Sequence, residues 1–369
     1  MNKNLRGFLI ISLMLPTMAL ATPNMRVGLV LEAGRGDHSF NQSGYEGATR
    51  AQHELGIDLK VQDGSGPANY ARVLQEYAAQ GLDLIIAMGT SGTSTVTATA
   101  QQFPNQKFVV IDDLPRGANT TGIRFRNEEG AFLAGYVAAR SSSTGTVGFI
   151  GGQDVPVIHE FEAGFRAGVK FICPNCQVLS RFIGKNRDAW NNPEAAMKLA
   201  ASMKAQGADV LFAVAGASGQ GVIRYVNETE CLKGSELPAG MTFKSHLFEG
   251  VQKSRQYLGQ CAGNSRPLFF IGSNRNQNYL GDDDGNPATL NHGLTSAVNG
   301  IEEVVYTIIR DMAARKPWRS GERVLGLENN GVSYALDRYN AALISEDMQK
   351  QLENVRKLII NGGIKVPKS

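Results

Sequence analysis

The sequence predicts two α/β lobes, each a doubly wound sheet of mainly parallel strands covered by helices, with a cleft between them. Three observations carry this. A chain of 369 residues has room for about two domains, each large enough to bury its own core. From Met25 onward, short apolar runs alternate with amphipathic stretches of helical length, the pattern of buried parallel strands joined by right-handed crossover helices. The alternation begins afresh after Ser141-Ser142-Ser143-Thr144-Gly145, a small polar stretch of the kind that links domains. With 42% hydrophobic and 19% charged residues, the composition is that of a globular chain. Its 42 glycines show no triplet period and many follow short apolar runs, which fits strand-to-helix turns and excludes collagen.

The first 21 residues read as a cleavable signal peptide: Lys3 and Arg6, a short apolar run at 8–15, then Ala19-Leu20-Ala21 as an A-x-A site. The run falls short of the ~20 residues a spanning helix needs. No cysteine directly follows the cleavage site, so the expectation is a periplasmic protein without a lipid anchor. Loss of Lys3 and Arg6 lowers the formal charge from +3 to +1, which leaves no electrostatic footprint for nucleic acid. Beyond the leader, apolar runs place strands at 26–31, 59–62, 84–88, 108–111, 147–150, 178–182, 210–214 and 269–271. Amphipathic stretches place helices near 43–56, 69–80, 92–102, 128–140, 157–170, 193–206, 218–228 and 298–314.

All four cysteines, Cys173, Cys176, Cys231 and Cys261, lie beyond the leader. Export to an oxidising compartment makes disulfides the default, and four cysteines allow three pairings. Cys173–Cys176 and Cys231–Cys261 are preferred because each pair is nearest in sequence. A redox reading of Cys173-Pro-Asn-Cys176 is weak, because the pair follows a helical stretch instead of opening one.

Motifs for chemistry are scarce. There is no phosphate loop and no nucleophile elbow. The five histidines, His38, His53, His159, His246 and His292, lack metal-ligand spacing. Asp282-Asp283-Asp284-Gly285-Asn286 fails the EF-hand register, since Pro287 and Gly293 fall where the loop needs glycine and glutamate; it reads as a solvated acidic loop. No metal, no cofactor and no catalytic residue is expected.

One ordered constellation does speak. Gly36-Asp37-His38-Ser39-Phe40-Asn41 follows the first strand and Asp112-Asp113 the fourth. Then come EGAFLAGY ending at Tyr136, VGFIGG ending at Gly152, FEAGFRAG ending at Gly168, Ala189-Trp190-Asn191-Asn192-Pro193, and Val214-Ala215-Gly216. Together, from about Met25 to about Tyr306, these segments resemble the basic membrane protein family, the purine-nucleoside-receptor-like solute-binding proteins of ABC importers. The resemblance implies the type I periplasmic-binding fold, with lobes linked by three crossings. On that basis the first lobe is expected at 22–143 plus 274–318 and the second at 144–273 plus 319–369.

The resemblance also implies a ligand site. Phe40 and Trp190 match rings that flank a base, and such rings add ~0.5–1.5 kcal/mol per aromatic pair beyond burial. Asn41 can donate and accept at a purine edge, or cap the helix that follows. Asp112, at a strand's carboxyl end, matches a base-binding aspartate and could accept two N–H bonds. Asp37 contacts ligand or braces its loop, and Gly216 lets backbone approach the ligand. Two positions depart from the family's pattern: Asn274 stands where an aspartate binds ribose hydroxyls, and Asn299 where a lysine is usual. Two neutral amides lack the charge assistance that roughly doubles hydrogen-bond strength. The reading is therefore a periplasmic binding component that captures a purine nucleoside, nucleobase or other uncharged solute by hinge closure, acts as a monomer, and delivers its ligand to an inner-membrane ABC permease. A ligand sensor that presents its bound state to a membrane receptor is the alternative, and a nucleoside-acting enzyme a third.

Overall fold

The computed structural model describes residues 24–64 and 66–369; the leader read at residues 1–21 lies outside them. The chain first lays down β1 (Arg26–Val30), α1 (Phe40–Leu55), β2 (Asp58–Gln62), α2 (Gly66–Ala79), β3 (Leu84–Met88), α3 (Thr93–Gln102), β4 (Phe108–Ile111) and β5 (Thr120–Phe125). Next come α4 (Asn127–Ser141), β6 (Thr146–Gln153), α5 (Pro156–Ile172), β7 (Gln177–Gly184), α6 (Pro193–Ala205), β8 (Val210–Val214) and α7 (Gly219–Thr229). The rest comprises β9 (Cys231–Lys233), α8 (Arg255–Gln260), β10 (Ser265–Pro267), β11 (Phe269–Asn274), β12 (Gly293–Asn299), α9 (Ile301–Ala313), β13 (Gly321–Leu325), β14 (Val332–Tyr334) and α10 (Glu346–Ile360). The eight strands and eight helices expected from periodicity are present, with ends shifted by a few residues. The strands missed are polar, short or at an edge.

Two six-stranded sheets form the lobes, in the orders β13-β5-β4-β3-β1-β2 and β14-β12-β11-β8-β6-β7. Every pairing in the first is parallel; in the second only β14, against β12, runs antiparallel. In each sheet the strand order reverses beside the first-formed strand, β1 or β6, and ligands of open α/β sheets sit off such switch points at the strands' carboxyl ends.

Strand pairing corrects the expected lobe boundaries. β12 lies within 274–318 yet pairs with β11 of the second sheet, and β13 lies within 319–369 yet pairs with β5 of the first. The chain therefore changes lobe near Arg126, Gly300 and Gly326. The supposed linker at 141–145 is a packed turn: the Asp209 carboxylate accepts from the Ser142 hydroxyl at 2.6 Å, the Ser143 N–H at 2.6 Å and the Thr144 N–H at 3.1 Å. α4 belongs to the second lobe, where it packs on α5, β12, β14 and α10. Its residues from Asn127 to Ala138 are buried without a break, and a helix covered on every side is a core helix, not a surface crossover.

The α4–α5 contact explains two of the motifs. A Cβ on Gly135 would collide with the Phe165 carbonyl oxygen, one on Gly164 with that of Glu128, and one on Gly168 with that of Phe132. EGAFLAGY and FEAGFRAG thus let two helix backbones touch. Gly168→Ala would gain about 1 kcal/mol in helix propensity, but the obstruction is backbone on both sides, and overpacking costs ~1–3 kcal/mol even where side chains can yield. The expected net result is destabilisation, read as a lower urea midpoint with unchanged m-value; a midpoint that rose would show the helices free to separate.

Both expected disulfides, Cys173–Cys176 and Cys231–Cys261, are formed. Among the described residues, no helix is long and apolar enough to cross a membrane.

Candidate functional site

A cleft opens between the two sheets. The carboxyl ends of four strands reach it through residues with left-handed backbone: Gly89 after β3 (φ 86°), Asp112 after β4 (φ 75°), Gly216 after β8 (φ 56°) and Asn274 ending β11 (φ 66°). Asp and Asn enter this region more readily than other side chains, and strained residues of this kind concentrate at ligand sites. Gly89 has a second reason to be glycine, because a Cβ there would collide with the Glu32 carboxylate.

Seven of the eight sequence-derived ligand candidates line this cleft: Asp37, Phe40, Asn41, Asp112, Trp190, Gly216 and Asn274. Their chemistry differs from one to the next. Asp37 is 2% exposed and accepts from the N–H groups of Ser39 (2.9 Å), Asn41 (2.9 Å) and Gln42 (3.0 Å) and from the Asn41 amide (2.9 Å). It satisfies the free N–H groups that open α1 and complements the helix dipole, so it braces the loop. Asn41 lies inside α1 and is not its cap; its Oδ1 accepts from the Glu32 and Ala33 N–H groups at 3.0 and 3.2 Å. Both side chains shape the β1–α1 loop, with their acceptors engaged inside it.

Asp112 is the contrast. Its Oδ1 is buried without a hydrogen-bond partner in the protein. Burial pushes its carboxyl up to about 7, with the negative charges of Glu160, Glu32 and Asp113 adding to the effect and Arg124 opposing it. Across the cleft, the Trp190 indole N–H donates to Gln153 Oε1 at 3.0 Å, and the ring lies over Gly152, where a Cβ would strike it. Phe40 and the buried Phe161 supply further aromatic wall. Phe161, Ile158, Thr90 and Glu32 were missed from sequence. The signal available for Phe161 was its place at the head of FEAGFRAG, one turn beyond the start of a helix.

Asn299 does not reach the cleft wall. It is 4% exposed, and its Nδ2 donates to Asn127 Oδ1 at 2.8 Å and to Asn274 Oδ1 at 3.4 Å. Asn274 in turn donates to the Ser39 hydroxyl at 3.2 Å. The two departures from the family pattern thus form one neutral amide chain that supports Asn274 from behind. The lobes also touch through Arg124–Glu160 at 3.3 Å and through the Arg187 guanidinium, which donates to the Glu32 carbonyl at 2.6 Å.

A profile of the ABC transporter substrate-binding protein PnrA-like family, Bmp, matches residues 24–232. The chain belongs to this family. Members are substrate-binding proteins, so a small-molecule ligand and a membrane permease partner follow from membership. Basic membrane protein A of Borreliella burgdorferi is 28% identical, over 93% of this chain and 87% of its own. The ABC transporter nucleoside-binding protein BmpA of Lactococcus lactis is 27% identical, over 93% of this chain and 89% of its own. An ABC transporter solute-binding protein from Aeropyrum pernix K1 superposes with a TM-score of 0.74 at 23% identity, over 94% of both chains. This Bmp-family chain has the type I periplasmic-binding fold of such solute-binding proteins.

Proposed function

We propose that this substrate-binding protein captures a purine nucleobase or nucleoside between its lobes in the periplasm and delivers it, as a monomer, to an ABC permease, without altering it chemically. The observation that carries the reading is the Asp112 carboxylate: an acceptor without a protein partner, at a strand end, in a cleft walled by Phe40, Phe161 and Trp190. A flat heterocycle with N–H groups along one edge supplies what that site lacks, because its faces meet rings and its edge donates to the carboxylate. The nucleoside-binding relative in Lactococcus lactis supports the same ligand class. Where the family pattern has a charged pair, the Asn274–Asn299 amides make the sugar subsite neutral, so the discrimination between base and nucleoside is weaker than charge-assisted bonds would give. Hinge closure on the ligand fits the contacts already bridging the lobes.

Calorimetric titration with purine bases, their nucleosides, pyrimidines and unrelated sugars tests this. The expected result is binding of purine compounds with less than about tenfold preference for nucleoside over base, a difference of ~1.4 kcal/mol. Tight nucleoside binding with no response to free bases would refute the weakened sugar subsite. Binding of sugars alone would refute the purine reading.

A further inference from the structure

Far from the ligand cleft, where α7 ends, lies a set of buried oxygens that the ligand reading does not use. Glu230, which follows α7, is fully buried at 0% exposure, and neither carboxylate oxygen has a hydrogen-bond partner in the protein. Asn227, one turn earlier on the same helix face, has a buried and equally unpartnered Oδ1. Asp283, in the loop between β11 and β12, has a buried Oδ1 without a partner as well.

Hydrogen bonds join the segments that carry Asn227 and Asp283. The Asn227 amide donates to the Leu280 carbonyl at 2.7 Å, which ties α7 to the segment leading into Asp283. The Ser254 hydroxyl donates to Asp283 Oδ2 at 2.7 Å, leaving Oδ1 to face elsewhere. Gln256 donates to the Asn227 carbonyl at 3.4 Å. Burial resists ionisation of Glu230, the nearby Gln256 amide favours the charged form, and the charge of Asp283 adds to the resistance.

We propose that Asn227, Glu230 and Asp283 form a binding site for a hard divalent cation of the calcium type. The donor set is all oxygen, which is what Ca²⁺ selects, with waters completing six to eight ligands. Two carboxylates balance one divalent charge. Among the described residues, neither Glu230 oxygen nor Asp283 Oδ1 meets a lysine or arginine. A shared proton would serve the carboxylates alone, whereas the Asn227 amide oxygen also needs a donor or a cation. The neighbouring Asp282 and Asp284, whose carboxylates approach Asp283 within 4.8 Å, raise the local negative potential at the site's mouth. The site is discontinuous in sequence, which is why an EF-hand register does not describe it.

Thermal unfolding of EDTA-treated protein, with and without CaCl₂ or MgCl₂, tests the assignment. At about 100 times its dissociation constant, Ca²⁺ is expected to raise Tm by roughly 4 °C. Glu230→Gln and Asp283→Asn should each abolish the response while retaining the cation-free Tm or raising it. Tb³⁺ supplies a second readout: the Tyr257 phenol lies within electrostatic reach of Glu230, so tyrosine-sensitised Tb³⁺ emission should appear and be displaced by Ca²⁺. If Glu230→Gln does not fold, Asp283→Asn and Tb³⁺ emission decide. No Tm response to either cation overturns the proposal. So does a response that survives both substitutions, because the cation would then bind the exposed acidic loop.

Discussion

Asp112→Asn is expected to weaken binding of a purine base or nucleoside roughly 100-fold, about 2.7 kcal/mol, without destabilising the ligand-free protein. The isosteric amide keeps the shape of the site but loses the charge and turns an N–H donor toward the ligand's own donors. Stability follows the opposite sign. The folded carboxyl is pushed up to about 7, against ~3.9 for an unfolded aspartate, so the folded state holds a proton that the unfolded state has released. The unfolded chain binds fewer protons across that interval, and this group's contribution to stability therefore declines as pH rises from about 4 to 7, then levels off. Asparagine removes the decline, so the variant should gain on the parent above pH 7 and match it near pH 4. Ligand donors favour the carboxylate; parent affinity should therefore fall below pH 7 by up to about tenfold per unit, while the variant's affinity stays flat. Titration calorimetry at three pH values and urea unfolding at the same values read both effects. Equal affinity of parent and variant would remove Asp112 from the ligand contact and with it the main support for a purine edge.

Much of this arrangement was legible in the residues. Runs of four or five apolar residues, such as the one that opens at Leu84, needed only the period argument, and β3, β4 and β8 fall at the expected positions. What failed was assignment to lobes, for a physical reason. Local pattern reports that a helix follows a strand, not which sheet it covers. α4 directly follows β5 and reads as its crossover helix, yet it has no solvent-facing side over most of its length, and its Gly135 meets α5. β13, Gly-Glu-Arg-Val-Leu, is an exposed edge strand with charged residues, which protect an edge and erase the apolar signature that marks a central strand.

The site shows the same division between residue type and residue role. Phe40, Trp190 and Asp112 were picked out by their match to the family's motifs, since by residue type alone a tryptophan serves as readily in a core or at a surface. The part played by Asp37 and Asn41 depended on which donors the folded loop presents. Both sit in the cleft wall, but Asp37 closes the start of α1 and Asn41 holds the end of β1. Their residue types suit either role, and geometry alone separates them. Asn299 makes the converse point, because its distance from the cleft is a single side chain, Asn274. On the proposed function, a substitution at 299 would reach ligand through Asn274, which sequence comparison by position does not distinguish from direct contact.

Replacing Cys231 and Cys261 together by alanine is expected to cost about 3–4 kcal/mol and to lower Tm by roughly 5 °C, against about 2 kcal/mol for the Cys173 and Cys176 pair. The difference comes from the unfolded state. The first bond joins residues 30 apart in sequence and the second residues 3 apart, so the first removes more chain freedom when the protein unfolds. Between Cys231 and Cys261 the chain has little regular structure beyond the three residues of β9, a short 3₁₀ turn and the six residues of α8; β9 pairs with β10 just past Cys261, so the crosslink reinforces a loop that a three-residue ladder also closes. Cys231 and Cys261 are 1% and 6% exposed; alanine is the suitable replacement because serine would bury hydroxyls without assured partners. The crosslink sits at the base of the second lobe, away from the strand ends that face the cleft, so purine affinity should be unchanged while unfolding shifts. A loss no greater than that of the shorter pair would mean that the 231–261 segment stays looped in the unfolded chain, and the crosslink would then act in the folded state, by fixing the end of α7 against α8. A parallel loss of affinity would instead show that the second lobe transmits strain from its base to the cleft.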